Sequence, residues 1–202
     1  MNSQITQNYI KQCETVSDIN EHLPTLNRYA QECDSIVECG VRNIVSSYAF
    51  AQGLLDRPNS LTLIDPYKSP NIDTFLEMCA KENVNAKFIH DSDIKCKPVP
   101  TDLLFIDTWH VYGHLKRELE YWHSFVNKYI ILHDTTVDAD VGESIRNGWD
   151  CKQQSIESGI PEAEIRKGLW PAVEEFVAKY EDWVIFYRFT NNNGLTVLRR
   201  IE

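Results

Sequence analysis

The sequence predicts an α/β domain with a mostly parallel β-sheet. Five short runs rich in Val, Ile, Leu and Phe recur along residues 35–135, and segments with helical spacing separate them. Apolar strands that alternate with helices are typical of a parallel sheet covered on both faces. Two further strand-like runs, 182–189 and 194–200, flank an Asn-rich turn that ends in Asn193 and Gly194, which indicates an antiparallel hairpin. The expected architecture is Rossmann-like and doubly wound, with a C-terminal antiparallel hairpin.

The chain is expected to open with a helical segment, residues 1–34. Leu23, Leu26 and Tyr29 repeat there at helical spacing. Pro24 is compatible with a helix only in the first turn, where its missing N–H is not needed. The helix is therefore expected to begin close to this proline.

Each predicted parallel strand stops at an acidic residue, and a helical pattern follows the first, second and fourth strands. Val45, Tyr48 and Leu55 recur at helical spacing after the first strand. Ser69 and Pro70 supply a cap and a first helical position after the second. An apolar stripe over 111–126 marks the helix after the fourth strand. The five strands are predicted at residues 35–40, 60–66, 86–93, 102–108 and 129–135.

Residues 1–202 are predicted to form a single domain. A chain of 202 residues with 43% hydrophobic content can bury one sizeable core. One long stretch, 137–169, is polar and contains four glycines, so it reads as an irregular loop. Loops of this length in a domain are commonly lids or disordered segments, and a lid is the role expected here.

The composition restricts the classes of partner. A formal net charge of −10 disfavours nucleic acid, because no basic surface is available for a phosphate backbone. A small-molecule or carbohydrate partner is expected instead, and a homo-oligomer is left open. The sequence has no apolar leader and no run of apolar residues long enough to span a membrane. Six cysteines without a CxxC pair suit a reducing compartment, so a cytoplasmic location is expected.

The acids at the strand ends are the strongest functional signal. Ligands of open parallel sheets bind in the crevice at the carboxyl ends of the strands. Carboxylates gathered there imply a ligand with hydroxyl groups or positive charge. For each acid taken singly, capping of the next helix is an equally good explanation. The five acids are Glu38, Asp65, Asp91, Asp107 and Asp134.

Two of these acids are expected to lie side by side, because Asp107 and Asp134 end consecutive strands. His110 and His133 flank them in the sequence. Carboxylate oxygens with a nearby imidazole suit a divalent cation such as Mg²⁺ or Mn²⁺. His114 lies one helical turn beyond His110, but it falls off the apolar stripe of its helix. We therefore expect His114 to face solvent.

Several segments resemble class I S-adenosylmethionine (SAM)-dependent methyltransferases. The resemblance is to the group that includes cephalosporin hydroxylase-like proteins and metal-dependent sugar O-methyltransferases, and it covers residues 35–200. One departure lies in the first segment, where Arg42, Asn43 and Ile44 stand at positions commonly held by small residues. The matching segments are VECGVRNIVSSYAF, LIDPY, LLFIDTWHVYGHLKRELEYW, KYIILHDTT and NNNGLTVLRR.

The resemblance implies the class I methyltransferase fold and a binding site for SAM. By position, Glu38 and Gly40 would lie near the methionine moiety of the cofactor. Asp65 would bind the ribose hydroxyls, and Asp91 and Ser92 would lie near the adenine.

The resemblance also implies a metal site beside the cofactor. Asp107 would border the cofactor and bind the metal together with Asp134 and His133. The implied reaction is metal-assisted O-methylation of a hydroxyl, with His110 or His133 accepting the proton.

Two alternatives remain open at the level of sequence. His110, His133 and Asp107 could form the two-histidine, one-carboxylate triad of a non-haem iron oxygenase. A catalytically inactive nucleotide-binding or glycan-binding module on the same fold is the other alternative, and Arg42 and Asn43 in the cofactor turn favour it. Fold alone does not decide among these functions.

Overall fold

A computed structural model describes residues 3–201, and Met1, Asn2 and Glu202 lie outside this range. The part of the predicted N-terminal segment that precedes residue 3 is therefore not described. The described chain forms one seven-stranded sheet with the spatial order β3-β2-β1-β4-β5-β7-β6. The strands are β1 (Ser35–Cys39), β2 (Ser60–Ile64), β3 (Ala86–Ile89), β4 (Thr101–Ile106), β5 (Val126–His133), β6 (Trp183–Phe189) and β7 (Leu195–Arg200).

Helices cover both faces of the sheet. Short 3₁₀ turns, Asn20–His22 and His123–Phe125, precede α2 and β5. Pro24 lies in the first turn of α2, as its missing N–H requires. The α-helices of residues 3–201 are α1 (Gln4–Glu14), α2 (Leu23–Gln31), α3 (Val45–Gly53), α4 (Ile72–Lys81), α5 (Tyr112–Trp122), α6 (Glu143–Arg146), α7 (Cys151–Ser158), α8 (Glu162–Arg166) and α9 (Trp170–Lys179).

The strand directions confirm the predicted fold class. β1 pairs in parallel with β2 and β4, and β3 and β5 extend the parallel sheet on either side. β7 pairs antiparallel with both β5 and β6. The C-terminal hairpin therefore closes a parallel sheet. It also places β7, and not β6, directly beside the β5 strand end.

Alternate residues of the central strands enter two separate hydrophobic cores, as period-2 side-chain geometry requires. Ile36 and Leu103 pack with α1 to α4 on one face. Val37 and Leu104 pack with α5 and α9 on the other. Trp122, on α5, is fully buried in the second core. Both faces of the sheet are thus covered, and the exposed carboxyl edge is left for ligands.

The segment 137–169 differs from its predicted irregular structure. It contains the short helices α6, α7 and α8, which enclose a small cluster of Val111, Cys151, Ile160 and Ile165. The glycines do not mark an unstructured loop, because Gly142 precedes α6 and Gly159 ends α7 in a left-handed conformation. Its role as a lid stays a prediction.

The structure also bears on three smaller features of the sequence. β3 ends at Ile89, four residues before the predicted end, so the acids beyond it lie in a loop. Within residues 3–201, no helix has the combined length and apolar character needed to cross a bilayer. All six cysteines are free thiols.

The turn between β1 and α3 is held against the end of β4. Gly40 has a φ of +85°, and a Cβ at this position would lie 1.9 Å from the carbonyl oxygen of Asp107. Arg42 and Ile44 also adopt left-handed conformations, with φ of 38° and 64°. Left-handed backbone is costly for a β-branched residue such as Ile44, so the surrounding structure must stabilise the turn.

Replacing Gly40 with alanine is expected to destabilise the protein more than the same change at Gly148. Both glycines have positive φ, which costs alanine about 1 kcal/mol. Only Gly40 also meets backbone atoms, because nothing lies within 4 Å of a Cβ at Gly148. Urea unfolding of the two variants measures the difference. Equal losses of unfolding free energy would contradict the prediction, because they would show that the backbone near Asp107 can move away from the added Cβ at no cost.

Candidate active site

The carboxyl ends of the parallel strands open into a cleft of about 550 Å³. Ligands of parallel α/β sheets bind at this edge, and the volume is in the range of small-molecule sites. The predicted residues Gly40, Asp65, Ser92 and Asp107 line it. Lining residues that the sequence analysis did not assign to a ligand include Arg42, Tyr67, Lys68, Asp93, Thr108, Trp109, His114 and Glu143.

Asp65 connects two loops of the cleft. Its Oδ2 accepts hydrogen bonds from the backbone N–H groups of Val41 and Arg42, at 2.8 and 3.2 Å. Its Oδ1 accepts one from the N–H of Tyr67, at 2.7 Å. The carboxylate therefore orders the β1–α3 turn, and Oδ1 retains capacity for a further donor.

Glu38 does not line the cleft. It is fully buried behind the β1–α3 turn, where the hydroxyls of Ser46 and Ser47 donate to its carboxyl group. Burial, assisted by the charges of Asp107 and Asp65, raises the pKa of Glu38 to about 8, although the hydrogen bonds from the two serines oppose the shift. Glu38 thus joins β1 to α3 from inside the protein.

The residues of the loop after β3 differ in solvent exposure and in whether they line the cleft. Asp91 is exposed and accepts a hydrogen bond from the N–H of Ser92, at 2.8 Å. Ser92 and Asp93 line the cleft, and Asp93 is buried. Asp93 was missed by the sequence analysis, although it lies two residues beyond a predicted strand-end acid.

The predicted metal residues do come together. Asp107, His133 and Asp134 each offer one ligand atom, and these atoms lie within 4.8 Å of one another. His133 Nδ1 lies 3.3 Å from both Asp107 Oδ1 and Asp134 Oδ2. Asp134 has a φ of 56°, a left-handed conformation that aspartate tolerates better than most residues.

The opposite side of the His133 ring faces backbone. Its Nε2 lies 3.1 Å from the carbonyl oxygen of Asp18 and 3.3 Å from that of Asn192. Both carbonyls are acceptors, so Nε2 carries the proton. The chain before α2 and the tip of the β6–β7 hairpin therefore direct Nδ1 toward the two aspartates.

His110 lies among four carboxylates. Its Nε2 is 3.1 Å from Asp107 Oδ1, and its Nδ1 is 3.1 Å from Asp134 Oδ2 without the linear geometry of a hydrogen bond. Asp138 and Glu143 lie 3.4 and 3.5 Å from Nδ1. These two acids come from the 137–169 segment, so only the fold could place them here.

The charges of this cluster shift its protonation. Burial would lower the pKa of His133, but Asp107 and Asp134 raise it to about 10. The pKa of His110 is also well above its usual value, because the surrounding carboxylates outweigh burial. Burial would raise the pKa of Asp107, yet His133 and His110 lower it. Arg146 adds positive charge through Asp138, with a 2.6 Å contact between Nε and Oδ1.

The donor set fits a divalent cation. Asp134 Oδ1 is buried without a hydrogen-bond donor among residues 3–201, which is costly unless another group binds it. Two carboxylates and an imidazole with a fixed tautomer are ligands suited to Mn²⁺ and accessible to Mg²⁺.

The expectation for His114 was wrong. Its side chain is only 11% exposed and its Nε2 lies 3.2 Å from Asp93 Oδ2 and 3.7 Å from Glu118 Oε1. His114 and Glu118 are four residues apart on α5, so they share one helix face. This spacing was the available signal, but the partner Asp93 comes from a distant loop.

Comparison with solved structures agrees with the fold of this chain. No protein-family model and no curated protein match the sequence. An O-methyltransferase from Bacillus cereus in complex with SAH is similar in structure, with a TM-score of 0.61 at 15% identity over 100% of this chain and 92% of that chain. The O-methyltransferase TomG from Streptomyces achromogenes, in complex with SAM, has a TM-score of 0.63 at 13% identity over 100% and 92%.

A SAH-bound methyltransferase from Podospora anserina is also similar, with a TM-score of 0.61 at 15% identity over 100% of this chain and 89% of that chain. The chain has the class I methyltransferase fold. The predicted fold is thereby confirmed, and in this chain it has the strand order β3-β2-β1-β4-β5-β7-β6.

Replacing Glu38 with glutamine is expected to flatten the pH dependence of stability. The pKa of Glu38 is about 8 in the folded chain against 4.5 for the free side chain, so unfolding releases a proton between these values. Its contribution to stability therefore falls as pH rises through this window, by up to about 1.4 kcal/mol per pH unit, and is level above it.

Urea unfolding at several pH values measures the slope for wild type and Glu38→Gln. Between these pKa values, the unfolding free energy of wild type should fall with pH more steeply than that of the variant. The difference in slope should correspond to the release of about one proton on unfolding. Glu77→Gln, which changes an exposed glutamate on α4, is the matched control and should keep the wild-type slope. Parallel profiles for wild type and Glu38→Gln would contradict a neutral buried Glu38.

Proposed function

We propose that this protein is a SAM-dependent O-methyltransferase that acts on a hydroxyl group with the assistance of a divalent cation. The observation that carries the proposal is the juxtaposition of the cleft with the Asp107–His133–Asp134 donor set on a class I methyltransferase fold. Asp107 lines the cleft and also belongs to the donor set. A SAM molecule in the cleft would therefore lie next to an acceptor hydroxyl at the metal ligands.

The cofactor is proposed to lie across the β1–α3 turn. Gly40 allows close approach of the backbone, and Asp65 offers a carboxylate oxygen suited to ribose hydroxyls. Ser92 lines the cleft where the adenine would lie, and Trp109 supplies an aromatic wall. Glu38 acts indirectly by fixing the turn, since its carboxyl group bonds Ser46 and Ser47.

The acceptor is proposed to be a small molecule or carbohydrate, because the cleft is small and the chain has a net charge of −10. When bound, SAM would supply the methyl group, and Mg²⁺ or Mn²⁺ would lower the pKa of the acceptor hydroxyl. Asp107, Asp134 and His133 would hold the cation. Positioning then accounts for most of the catalysis.

His110 is the proposed proton acceptor. Its ring lies between Asp107 and Asp134, with the side chain 14% exposed. His133, the other predicted candidate, is only 1% exposed and has both ring nitrogens engaged. We therefore assign His133, with its Nδ1 deprotonated, to metal binding. We assign His110 to proton transfer, because a bound cation would offset the carboxylates that raise its pKa and so favour the neutral ring.

Neither alternative has comparable support. The oxygenase triad of His110, His133 and Asp107 is also brought together, but Asp134 lies equally close to His133 and would be a fourth ligand. The hypothesis of a catalytically inactive binding module was based on Arg42 and Asn43 in the cofactor turn. Arg42 adopts a left-handed backbone with φ of 38°, which supports a cofactor turn at this position despite that side chain.

Replacing Asp65 with asparagine is expected to weaken SAM binding by about 1–3 kcal/mol, because a charged acceptor is lost. Calorimetry with SAM and with S-adenosylhomocysteine measures the loss. Glu77→Gln, which alters an exposed glutamate of α4, should bind as the wild type does. If wild type itself binds neither compound, the methyltransferase proposal fails.

Replacing Asp134 with asparagine is expected to abolish metal-dependent methyl transfer while SAM affinity stays within about twofold, since the cation serves the acceptor and not the cofactor. Asparagine tolerates the left-handed backbone at this position, so the fold should persist. The assay is transfer of labelled methyl from SAM to a panel of sugar and phenol acceptors, with EDTA or with Mg²⁺ or Mn²⁺.

Asp140→Asn is the control for Asp134→Asn, because Asp140 is an exposed acid only six residues further along the chain. It should leave transfer unchanged. Transfer that persists in EDTA, with equal rates for wild type and Asp134→Asn, would remove the cation from the proposal and leave methyl transfer intact.

A further inference from the structure

A second cluster of ligand-type side chains lies outside the donor set described above. Asp93 in the loop after β3 and His114 and Glu118 on α5 each offer one atom, and these atoms lie within 4.8 Å of one another. None of them was predicted as a metal ligand. The cluster joins the β3 side of the cleft to the helix that follows β4.

The cluster contains two buried oxygens that the described chain leaves without donors. Glu118 is 1% exposed and its Oε2 has no hydrogen-bond donor among residues 3–201. Asp93 is 5% exposed and its Oδ2 is likewise without a donor of good geometry. Buried carboxylate oxygens are normally hydrogen-bonded or bound to a cation, so both require an explanation.

The remaining atoms of these side chains are already positioned. The Thr108 hydroxyl donates to Glu118 Oε1 at 2.7 Å, and the Ser92 hydroxyl donates to Asp93 Oδ1 at 3.3 Å. The indole N–H of Trp122 donates to the backbone carbonyl of Asp93 at 3.0 Å. His114 Nε2 lies 3.2 Å from the free Oδ2 of Asp93 and 3.7 Å from Oε1 of Glu118, so the imidazole borders both acids.

No lysine or arginine forms an ion pair with Asp93 or Glu118 among the ion pairs of residues 3–201. Burial and the charge of Asp93 raise the pKa of Glu118 well above its usual value. Burial would raise the pKa of Asp93 too, but His114 lowers it to about 2. Two acids in contact therefore require a shared proton or a cation between them.

We propose that Asp93, His114 and Glu118 form a second divalent-cation site, separate from the Asp107–His133–Asp134 set. The ligand atoms are one imidazole nitrogen and two carboxylate oxygens, a combination that favours Mn²⁺, Fe²⁺ or Zn²⁺ over Ca²⁺. Asp93 and His114 line the cleft, so a cation has access from solvent. A bound cation would tie α5 to the loop after β3 and fix this wall of the cleft.

The test counts Mn²⁺ ions bound to the full chain without cofactor, by the loss of the free-ion signal in electron paramagnetic resonance. Wild type should bind two ions. Glu118→Gln and His114→Gln should each bind one, and Asp134→Asn should also bind one. The double variant Asp134→Asn with Glu118→Gln should bind none.

Glu120→Gln is the matched control, because Glu120 is an exposed glutamate on the same helix that pairs with Lys179. It should keep both ions. Glutamine resembles a protonated Glu118, so this variant should fold, and circular dichroism checks that it does. Should Glu118→Gln not fold, the His114→Gln count alone decides.

The outcomes separate this inference from the proposed function. One ion that Asp134→Asn removes and Glu118→Gln keeps would overturn the second site and identify a shared proton there. One ion that Glu118→Gln removes and Asp134→Asn keeps would support the second site and overturn the first. Two ions that both survive Glu118→Gln and His114→Gln, or no bound ion at all, would overturn the inference.

Discussion

Asp134 is buried and Asp107 is partly buried at the ends of adjacent parallel strands. The pair requires positive charge close by, because a carboxylate loses strongly favourable hydration as it is removed from water. The surrounding structure supplies that charge in layers. His110 and His133 contact both acids directly, and Arg146 balances Asp138 one step further out.

Elements distant in sequence hold this charge in place. The carbonyl of Asp18, before α2, and that of Asn192, in the hairpin tip, set the proton on His133. Glu143 accepts from the backbone N–H of His110 at 3.0 Å, and its own N–H donates to the His110 carbonyl. The N-terminal segment, the hairpin and the α6 region therefore all contribute to one set of donors.

The two ligand clusters lie on either side of the residues that follow β4. A small cavity is lined by Thr108, His110, Glu118 and His133, so it borders both clusters. Thr108 donates to Glu118, while its neighbour Asp107 belongs to the other cluster. A change in charge at one cluster is thus expected to shift the electrostatic potential at the other, because the protein between them screens charge less than water does.

The sequence by itself determined the fold class and the convergence of Asp65, Asp107 and Asp134 on one sheet edge. Apolar strands with period-2 burial, separated by helices, force their carboxyl ends to the same side. That rule is local and topological, so it can be applied without coordinates. It also correctly paired Asp107 with Asp134, since β4 and β5 are neighbours.

Only the tertiary structure decided which side chains complete the site. Asp138 reaches His110 from the turn after β5, and Glu143 reaches it as the first residue of α6. The glycines of this segment gave no sign of that ordered structure. His114 is buried because Asp93 comes from a separate loop, so periodicity along α5 could not reveal its partner. Periodicity reports which face of one element is apolar, whereas the pairing of buried polar groups depends on contacts between elements.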